Sequence, residues 1–201
     1  MTDFGISLFA ALGVAAQVLI VILVLGLLAA AVSRSAREAL SAPFQAIGRP
    51  AAWLAWGTAV VAWLGSLFMS EVAGFVPCHL CILERSFMYP LVVLLLGVAL
   101  VRWWWLTWLV AIVPAIGAGV ATHHVWIEYH PDQASSQCKA GIPCSFKWIN
   151  EFGYITIPTL ALTAFVLITV LLVVAGLYQF THRTRRGPEA PVADATAAAT
   201  E

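Results

Sequence analysis

The sequence predicts an all-α integral membrane protein with five transmembrane helices. Of its 201 residues, 62% are hydrophobic and only 10% are charged, a composition typical of chains whose main solvent is the bilayer. Five uncharged stretches are candidates for helices that cross the hydrocarbon core, which takes roughly 20 residues. The basic residues fall in alternate connections, as the positive-inside rule expects of a multi-pass protein.

The five helices follow from the spacing of the charged residues. The uncharged stretches lie between Asp3 and Arg34, Arg49 and Glu71, Arg85 and Arg102, Arg102 and Glu128, and Glu151 and Arg183. We predict helices over residues 5–33, 51–73, from the C-x-x-C motif to 102, 106–127 and 154–180. The first lacks the basic start and short apolar run of a signal peptide, so we interpret residues 1–33 as a retained anchor helix.

Charge placement also predicts the orientation. Seven of the ten basic residues lie in alternate connections that we assign to the cytoplasm, namely Arg34, Arg37, Arg49, Arg102, Arg183, Arg185 and Arg186. Residues 34–50 then form a cytoplasmic linker with a short interfacial helix, and residues 181–201 form a disordered cytoplasmic tail. The N-terminus lies outside and the C-terminus inside. The formal net charge is zero, and we expect no nucleic-acid partner.

All four cysteines, Cys78, Cys81, Cys138 and Cys144, fall in the two outer connections. The outer face of a bacterial inner membrane is oxidising, whereas cytosolic thiols are kept reduced. The sequence therefore predicts two disulfides on the periplasmic or outer face.

The third helix must begin near the first cysteine pair. Only 16 residues separate Arg85 from Arg102, too few to span, whereas 23 separate Cys78 from Arg102. Arg85 then lies inside the outer membrane interface, one helical turn beyond Cys81 and about 6 Å deeper on the same face.

The C-x-x-C motif of Cys78 and Cys81 is the strongest local sign of chemistry. The N-terminus of a helix stabilises a thiolate, the species that attacks disulfides. Haem attachment needs a histidine directly after the second cysteine, and Ile82 stands there. A zinc site built from all four cysteines and a purely structural disulfide remain as alternatives, but we predict no metal because an oxidising face disfavours free thiolates.

Arg85 is costly in the interface unless something uses its charge. We expect it to donate hydrogen bonds to a carbonyl oxygen of a quinone beside Cys81; snorkelling or a pair with Glu84 is the alternative. His123 and His124 lie at a comparable depth near the end of helix four. One of them is expected to face the quinone, with a structural role as the other interpretation.

The second cysteine pair lies in the segment CKAGIPC, where Gly141 and Pro143 shape a turn. We expect this pair to be exposed, so that a soluble protein thiol reaches it and the loop carries it to Cys78. A simple loop staple is the alternative.

The segments PCHLCILERS and CKAGIPCSFKWINEFGYITIPTLALTAF resemble the disulfide bond formation protein B (DsbB) family, most closely its short-loop BdbC-type members, over about residues 50–180. The resemblance implies a four-helix thiol oxidase domain over 51–180, with the first helix as an addition. It implies that Cys138 and Cys144 take electrons from a DsbA-like thioredoxin-fold oxidase and pass them to Cys78 and Cys81, then to ubiquinone or menaquinone.

The same resemblance assigns roles to single residues. Cys81 lies beside the quinone and Cys78 is its exchange partner, Arg85 and His124 belong to the quinone site, and Cys138 forms the mixed disulfide with the partner. The additional first helix and the short spacing of Cys138 and Cys144 depart from the usual pattern.

Two other functions fit parts of the sequence. Relatives of vitamin K epoxide reductase also couple a C-x-x-C motif to a quinone, but their loop pair precedes that motif, whereas here it follows. The second alternative is a non-catalytic membrane scaffold with two structural disulfides. Such a scaffold would keep both bonds in mild reductant.

Overall fold

The structure is a computed structural model that describes residues 2–139 and 142–186, with backbone alone at 137, 139 and 183–186. Five of its helical segments are long and apolar enough to cross a membrane. The helices are α1 (Thr2–Val32), α2 (Arg34–Ala39), α3 (Ser41–Gly48), α4 (Ala51–Leu67), α5 (His79–Val101), α6 (Trp104–Tyr129), α7 (Ser136–Lys139) and α8 (Ile157–Arg186). The expectation of five apolar membrane helices is confirmed.

The helix ends differ from the predicted ones where local turns intervene. After Leu67, α4 continues as one π-helical turn, Phe68–Val72. The last helix begins at Ile157 rather than 154, because Glu151 and Ile155 pair across a tight turn with Gly153 at φ 79°. It then continues to Arg186, six residues into the predicted tail. The rest of that tail, residues 187–201, lies outside the described residues.

Helices α4, α5, α6 and α8 pack around one apolar core. Alanines four residues apart, Ala51, Ala55 and Ala59, give α4 a narrow buried face, and such small residues let membrane helices approach closely. The largest fully buried side chain, Phe165, lies on α8 and packs against α6 at Gly117. These contacts hold the starts of α5 and α8 and the end of α6 together.

The contact between Gly117 and Phe165 gives a test of this packing. A Cβ atom at Gly117 would lie 2.5 Å from the Phe165 ring, which is fully buried. We expect Gly117→Ala to lower the free energy of unfolding by about 1–3 kcal/mol through overpacking. The matched control is Gly119→Ala on the exposed side of α6, where nothing lies within 4 Å of the new Cβ. Thermal unfolding in detergent measures both; equal midpoints would contradict this packing.

Helix α1 lies at the edge of the bundle, mainly against α8. It buries only Ala10, Gly13 and Leu23. The amide side chain of Gln17, in the middle of α1, donates from Nε2 to Thr163 Oγ1 (3.1 Å) and accepts at Oε1 from the Tyr154 hydroxyl (2.9 Å). An unpaired amide is costly in a membrane, so these bonds fix the rotation of α1 on α8.

The two ends of the bundle differ in chemistry. One end holds the N-terminus of α5 and the connection between α6 and α8, with all four cysteines. The other end holds the basic linker, where Arg49 and Arg102 border one shallow groove beside Tyr178. Residues 34–50, predicted as a linker with a short helix, form α2 and α3.

Candidate thiol–disulfide site

The first cysteine pair lies at the N-terminus of α5, as the length argument predicts. Cys78 is the N-cap residue, and its sulfur accepts a hydrogen bond from the Cys81 backbone N–H at 3.3 Å. The two sulfur atoms lie 3.0 Å apart and are not bonded. The structure therefore shows this pair as a dithiol, so only one of the two predicted disulfides is formed in it.

A histidine and a carboxylate extend inward from Cys78. His124 is 1% exposed, and its Nε2 lies 3.5 Å from Cys78 Sγ. The opposite ring nitrogen, Nδ1, lies 2.9 Å from Glu84 Oε1, and Glu84 is 4% exposed. The carboxylate accepts from Nδ1–H, which fixes the ring so that Nε2 faces the sulfur. His123 is exposed on the same helix, so His124 is the histidine that faces this group.

The surroundings of Cys78 favour its thiolate. The hydrogen bond with Cys81 and the contact with His124 lower the pKa of Cys78 to about 4, although burial of the thiol opposes them. Negative charge on Glu84 and Glu128 acts against the Cys78 thiolate, because like charges repel. A thiolate at neutral pH is the form that takes part in disulfide exchange.

This shift predicts the pH dependence of Cys78 alkylation. Only the thiolate reacts, so the rate falls as pH drops through the pKa. We expect half-maximal alkylation of Cys78 by iodoacetamide near pH 4 in the reduced protein, rather than near the ordinary 9.0. Quenched samples analysed by mass spectrometry give the rate at this residue. In His124→Phe the midpoint should rise by one pH unit or more, because the variant lacks the charge-assisted hydrogen bond that stabilises the thiolate. A wild-type midpoint above about 7 would contradict the thiolate assignment.

The second pair, Cys138 and Cys144, forms a disulfide. The expectation that it is exposed is wrong, because each cysteine is only 2% exposed. The reason is the packing of the loop: α7 contacts α5, and aromatic side chains close the loop from the other side. Phe75 stacks on Trp148 with ring centroids 5.1 Å apart, and Phe146 meets Trp148 edge-on. Gly141 lies outside the described residues.

All four cysteines belong to one buried cluster. Cys78, Cys138 and Cys144 pack together with Leu80 and Ile127, and Cys81 packs against this group. The loop pair therefore lies beside the C-x-x-C pair without a large loop displacement. This proximity is the condition for disulfide exchange between the two pairs.

A large apolar cavity opens on the other side of Cys81. Its volume is about 520 Å³, and Cys81, Glu84 and Arg85 contribute to a mostly apolar wall. Arg85 donates from Nη2 to the Ser66 carbonyl at 3.1 Å; Glu84 pairs with His124 instead, so the alternative of an Arg85–Glu84 pair is not realised. A guanidinium has five N–H donors, so Arg85 retains donors for an acceptor in the cavity. His124 does not line this cavity and reaches it through Glu84.

Sequence reasoning missed the two buried carboxylates. From the sequence, Glu84 was considered only as a partner for Arg85. Glu128 was considered only as the boundary of an uncharged stretch. Glu128 is 7% exposed and accepts a hydrogen bond from the Thr156 hydroxyl at 2.8 Å, beside Cys78 and Cys81. A carboxylate within a membrane helix is by itself a sign of function, and that rule would have selected both.

The sulfur atoms of Cys78 and Cys81 and a ring nitrogen of His124 lie within 4.8 Å of one another. Zinc accepts such ligands. The absence of a resident metal stays a prediction for this group, based on the oxidising face.

The family model described as Disulfide bond formation protein DsbB matches residues 48–175, which include the C-x-x-C motif, Arg85, His124 and the loop pair. The chain belongs to the DsbB family. The recognition made from the sequence is confirmed, and with it a role as a thiol oxidoreductase that has a thiol–disulfide partner.

Curated relatives within this family are similar over the same region. Disulfide bond formation protein C of Bacillus subtilis (strain 168) is 41% identical over 122 residues, 60% of this chain and 88% of the relative. Probable disulfide formation protein C 1 of Bacillus anthracis is 39% identical, over 60% of this chain and 87% of its own length. Probable disulfide formation protein of Metapseudomonas resinovorans is 36% identical, with 60% and 85% covered. No solved structure matches the chain.

Proposed function

We propose that this DsbB-family protein is a quinone-dependent thiol oxidase of a bacterial inner membrane. It reoxidises a DsbA-like, thioredoxin-fold partner that forms disulfides outside the cytoplasm. The observation that carries the proposal is the position of Cys81, which touches the buried cysteine cluster on one side and the apolar cavity with Arg85 on the other. The alternative, a scaffold with structural disulfides, does not account for an unbonded dithiol beside such a cavity.

The first step is exchange with the partner. A thiolate of the reduced partner attacks Cys138, the Cys138–Cys144 bond breaks, and the partner leaves as a disulfide while the loop pair holds two electrons and two protons. Because both loop cysteines are buried and α7, which carries Cys138, contacts α5, the partner must displace this loop to reach Cys138. This requirement replaces the freely exposed loop that the sequence predicted.

The second step passes the electrons inward. A thiolate of the loop pair attacks Cys78 in the Cys78–Cys81 disulfide, and Cys81 leaves as a thiolate at the cavity wall. The loop disulfide then reforms, and the inner pair is left as a dithiol. Attack at Cys78 is favoured because Cys78, unlike Cys81, lies among the buried members of the cluster that holds the loop pair.

The third step regenerates the inner disulfide. Cys78 and Cys81 lose two electrons and two protons when their S–S bond forms, and a quinone supplies the matching two-electron, two-proton acceptor. The cavity fits a quinone because its wall is apolar except for a few polar groups, among them Arg85 and Glu84. The fit is to either ubiquinone or menaquinone, since both share a ring with two carbonyl acceptors and an isoprenoid chain.

Arg85, Glu84 and His124 serve this step from fixed positions. Arg85 would hold a carbonyl oxygen of the quinone by hydrogen bonds from its remaining N–H groups and would stabilise negative charge there. His124 Nε2 accepts the proton of Cys78, and Nδ1–H passes one to Glu84, which borders both the histidine and the cavity. Glu84 is therefore the residue that joins the cysteine group to the acceptor side.

The cysteine end of the bundle faces outward in this proposal. Arg49 and Arg102 at the opposite end support that orientation through the positive-inside rule. A periplasmic or otherwise extracytoplasmic cysteine end is also the one that a soluble oxidase reaches.

The test is turnover of the purified chain in proteoliposomes. Reduced thioredoxin-fold partner is supplied with a ubiquinone or a menaquinone analogue in separate reactions without oxygen. We expect one quinone reduced for each disulfide formed in the partner, with at least one of the two quinones. The Cys138→Ser/Cys144→Ser double variant is the control and should fail to oxidise the partner. Absence of turnover with both quinones, with the loop disulfide intact in mild reductant, would favour the scaffold.

A further inference from the structure

Helix α1 lies outside the region that the family shares. The family match begins at residue 48, whereas α1 covers Thr2–Val32. The Bacillus subtilis relative has 88% of its length within 122 aligned residues, so too few of its residues remain to form another 31-residue helix. This helix is an addition relative to that protein, and the sequence predicts for it nothing beyond anchoring.

The structure places one face of α1 in the wall of the cavity beside Cys81. Phe9, Leu12, Gly13 and Ala16 line it, at the i, i+3, i+4, i+7 spacing of a single helix face. They face the same space as Cys81 and Arg85 on α5. Without α1 this side of the cavity would open to lipid, because α4 and α8 supply its other apolar walls.

Three contacts hold this face in position. Gln17 bonds to Thr163 and Tyr154, as described above. A Cβ atom at Gly13 would clash with Leu160 of α8, so the glycine permits the close approach of the two helices. Phe9 packs against Gly65 and lies 5.7 Å, centroid to centroid, from the Phe68 ring at the end of α4. The helix is therefore docked in one register and not merely beside the bundle.

We propose that α1 is the lateral wall of the quinone cavity and determines how tightly the ring and the first part of the isoprenoid chain are held. The proposal rests on the proposed function, since it takes a quinone as the occupant. The apolar face from Phe9 to Ala16 suits an isoprenoid chain, while the charged groups of the cavity, Glu84 and Arg85, lie on α5. A helix that closes a binding cavity increases the apolar area that the ligand buries.

Direct binding tests this proposal without turnover. The Kd of a radiolabelled decyl-ubiquinone, or of a menaquinone analogue if that is the one bound, is measured by equilibrium dialysis with the detergent-solubilised full chain. Ala16→Leu places a larger side chain in the cavity and should weaken binding by about tenfold or more, as expected for overpacking of about 1.4 kcal/mol. Ala15→Leu is the matched control, because Ala15 is exposed on the same helix and does not line the cavity. It should bind within about twofold of the wild type.

A second pair of variants covers the case in which Ala16→Leu fails to fold. Leu12→Ala removes a lining side chain and should weaken binding by about fivefold, as expected for about 1 kcal/mol of lost apolar contact. Leu8→Ala is its control, since Leu8 is 47% exposed, against 46% for Leu12, and does not line the cavity. Equal Kd values for Leu12→Ala, Leu8→Ala and the wild type would overturn the proposal for α1 and leave the quinone function intact. A wild type that binds neither quinone would instead overturn the proposed function.

Discussion

Replacing Cys81 with serine is expected to abolish quinone reduction, lowering turnover by at least about a thousandfold, as loss of a covalent participant does in other enzymes. Serine cannot form the inner disulfide, so no electrons reach the cavity wall that Cys81 occupies. Quinone reduction is followed by absorbance in the assay with reduced partner. The variant should accumulate a trapped disulfide between Cys78 and a loop cysteine, because Cys78 remains in the same buried cluster.

The matched control for this variant is Ser86→Ala, a small change to an exposed residue of α5 one turn further along. It should turn over as the wild type does. The partner should still form its mixed disulfide with Cys138 in Cys81→Ser, which separates loss of electron delivery from loss of folding. Undiminished turnover in Cys81→Ser would remove Cys81 from the electron path.

Replacing Arg85 with alanine is expected to reduce kcat/KM for quinone by about a hundredfold to a thousandfold, the usual effect of removing one donor to a developing negative charge. Arg85 is the guanidinium in the wall of the cavity and is held by the Ser66 carbonyl. Steady-state kinetics with varied quinone measure the loss. Arg85→Lys should recover part of it, because it keeps the charge but not the fixed geometry of the fork.

Partner exchange should be unaffected in Arg85→Ala, since Arg85 does not belong to the buried cysteine cluster. Arg49→Ala, which removes an exposed arginine at the opposite end of the bundle, controls for loss of charge alone. If Arg85→Ala and Arg49→Ala give the same kcat/KM for quinone, Arg85 has no role in acceptor use.

The features that sequence predicted well are the local ones. Hydropathy and charge spacing defined the long helices because each depends only on its own length and composition. The position of Cys78 at a helix start followed from counting residues to Arg102, and the structure has α5 beginning at His79.

The features that sequence missed depend on how helices are rotated against each other. The Glu84–His124 pair joins residues 40 positions apart, and no local pattern sets the rotation of α5 relative to α6. Burial of the loop pair depends on aromatic contacts between two separate connections, such as Phe75 with Trp148. Helix α1 is apolar on all sides, so its sequence did not indicate which face meets the cavity.

Electrons are expected to reach the quinone only through Cys78 and Cys81. The direct measurement is a single-turnover reaction without oxygen, run on two variants that each retain one cysteine pair. The retained pair is fully reduced and the protein is then mixed with one equivalent of quinone. In the Cys138→Ser/Cys144→Ser variant, the remaining pair should reduce one quinone and lose two thiols, mapped to Cys78 and Cys81 by mass spectrometry. In the Cys78→Ser/Cys81→Ser variant, the loop pair should keep its thiols and leave the quinone oxidised. Equal quinone reduction by the loop pair alone would contradict the account.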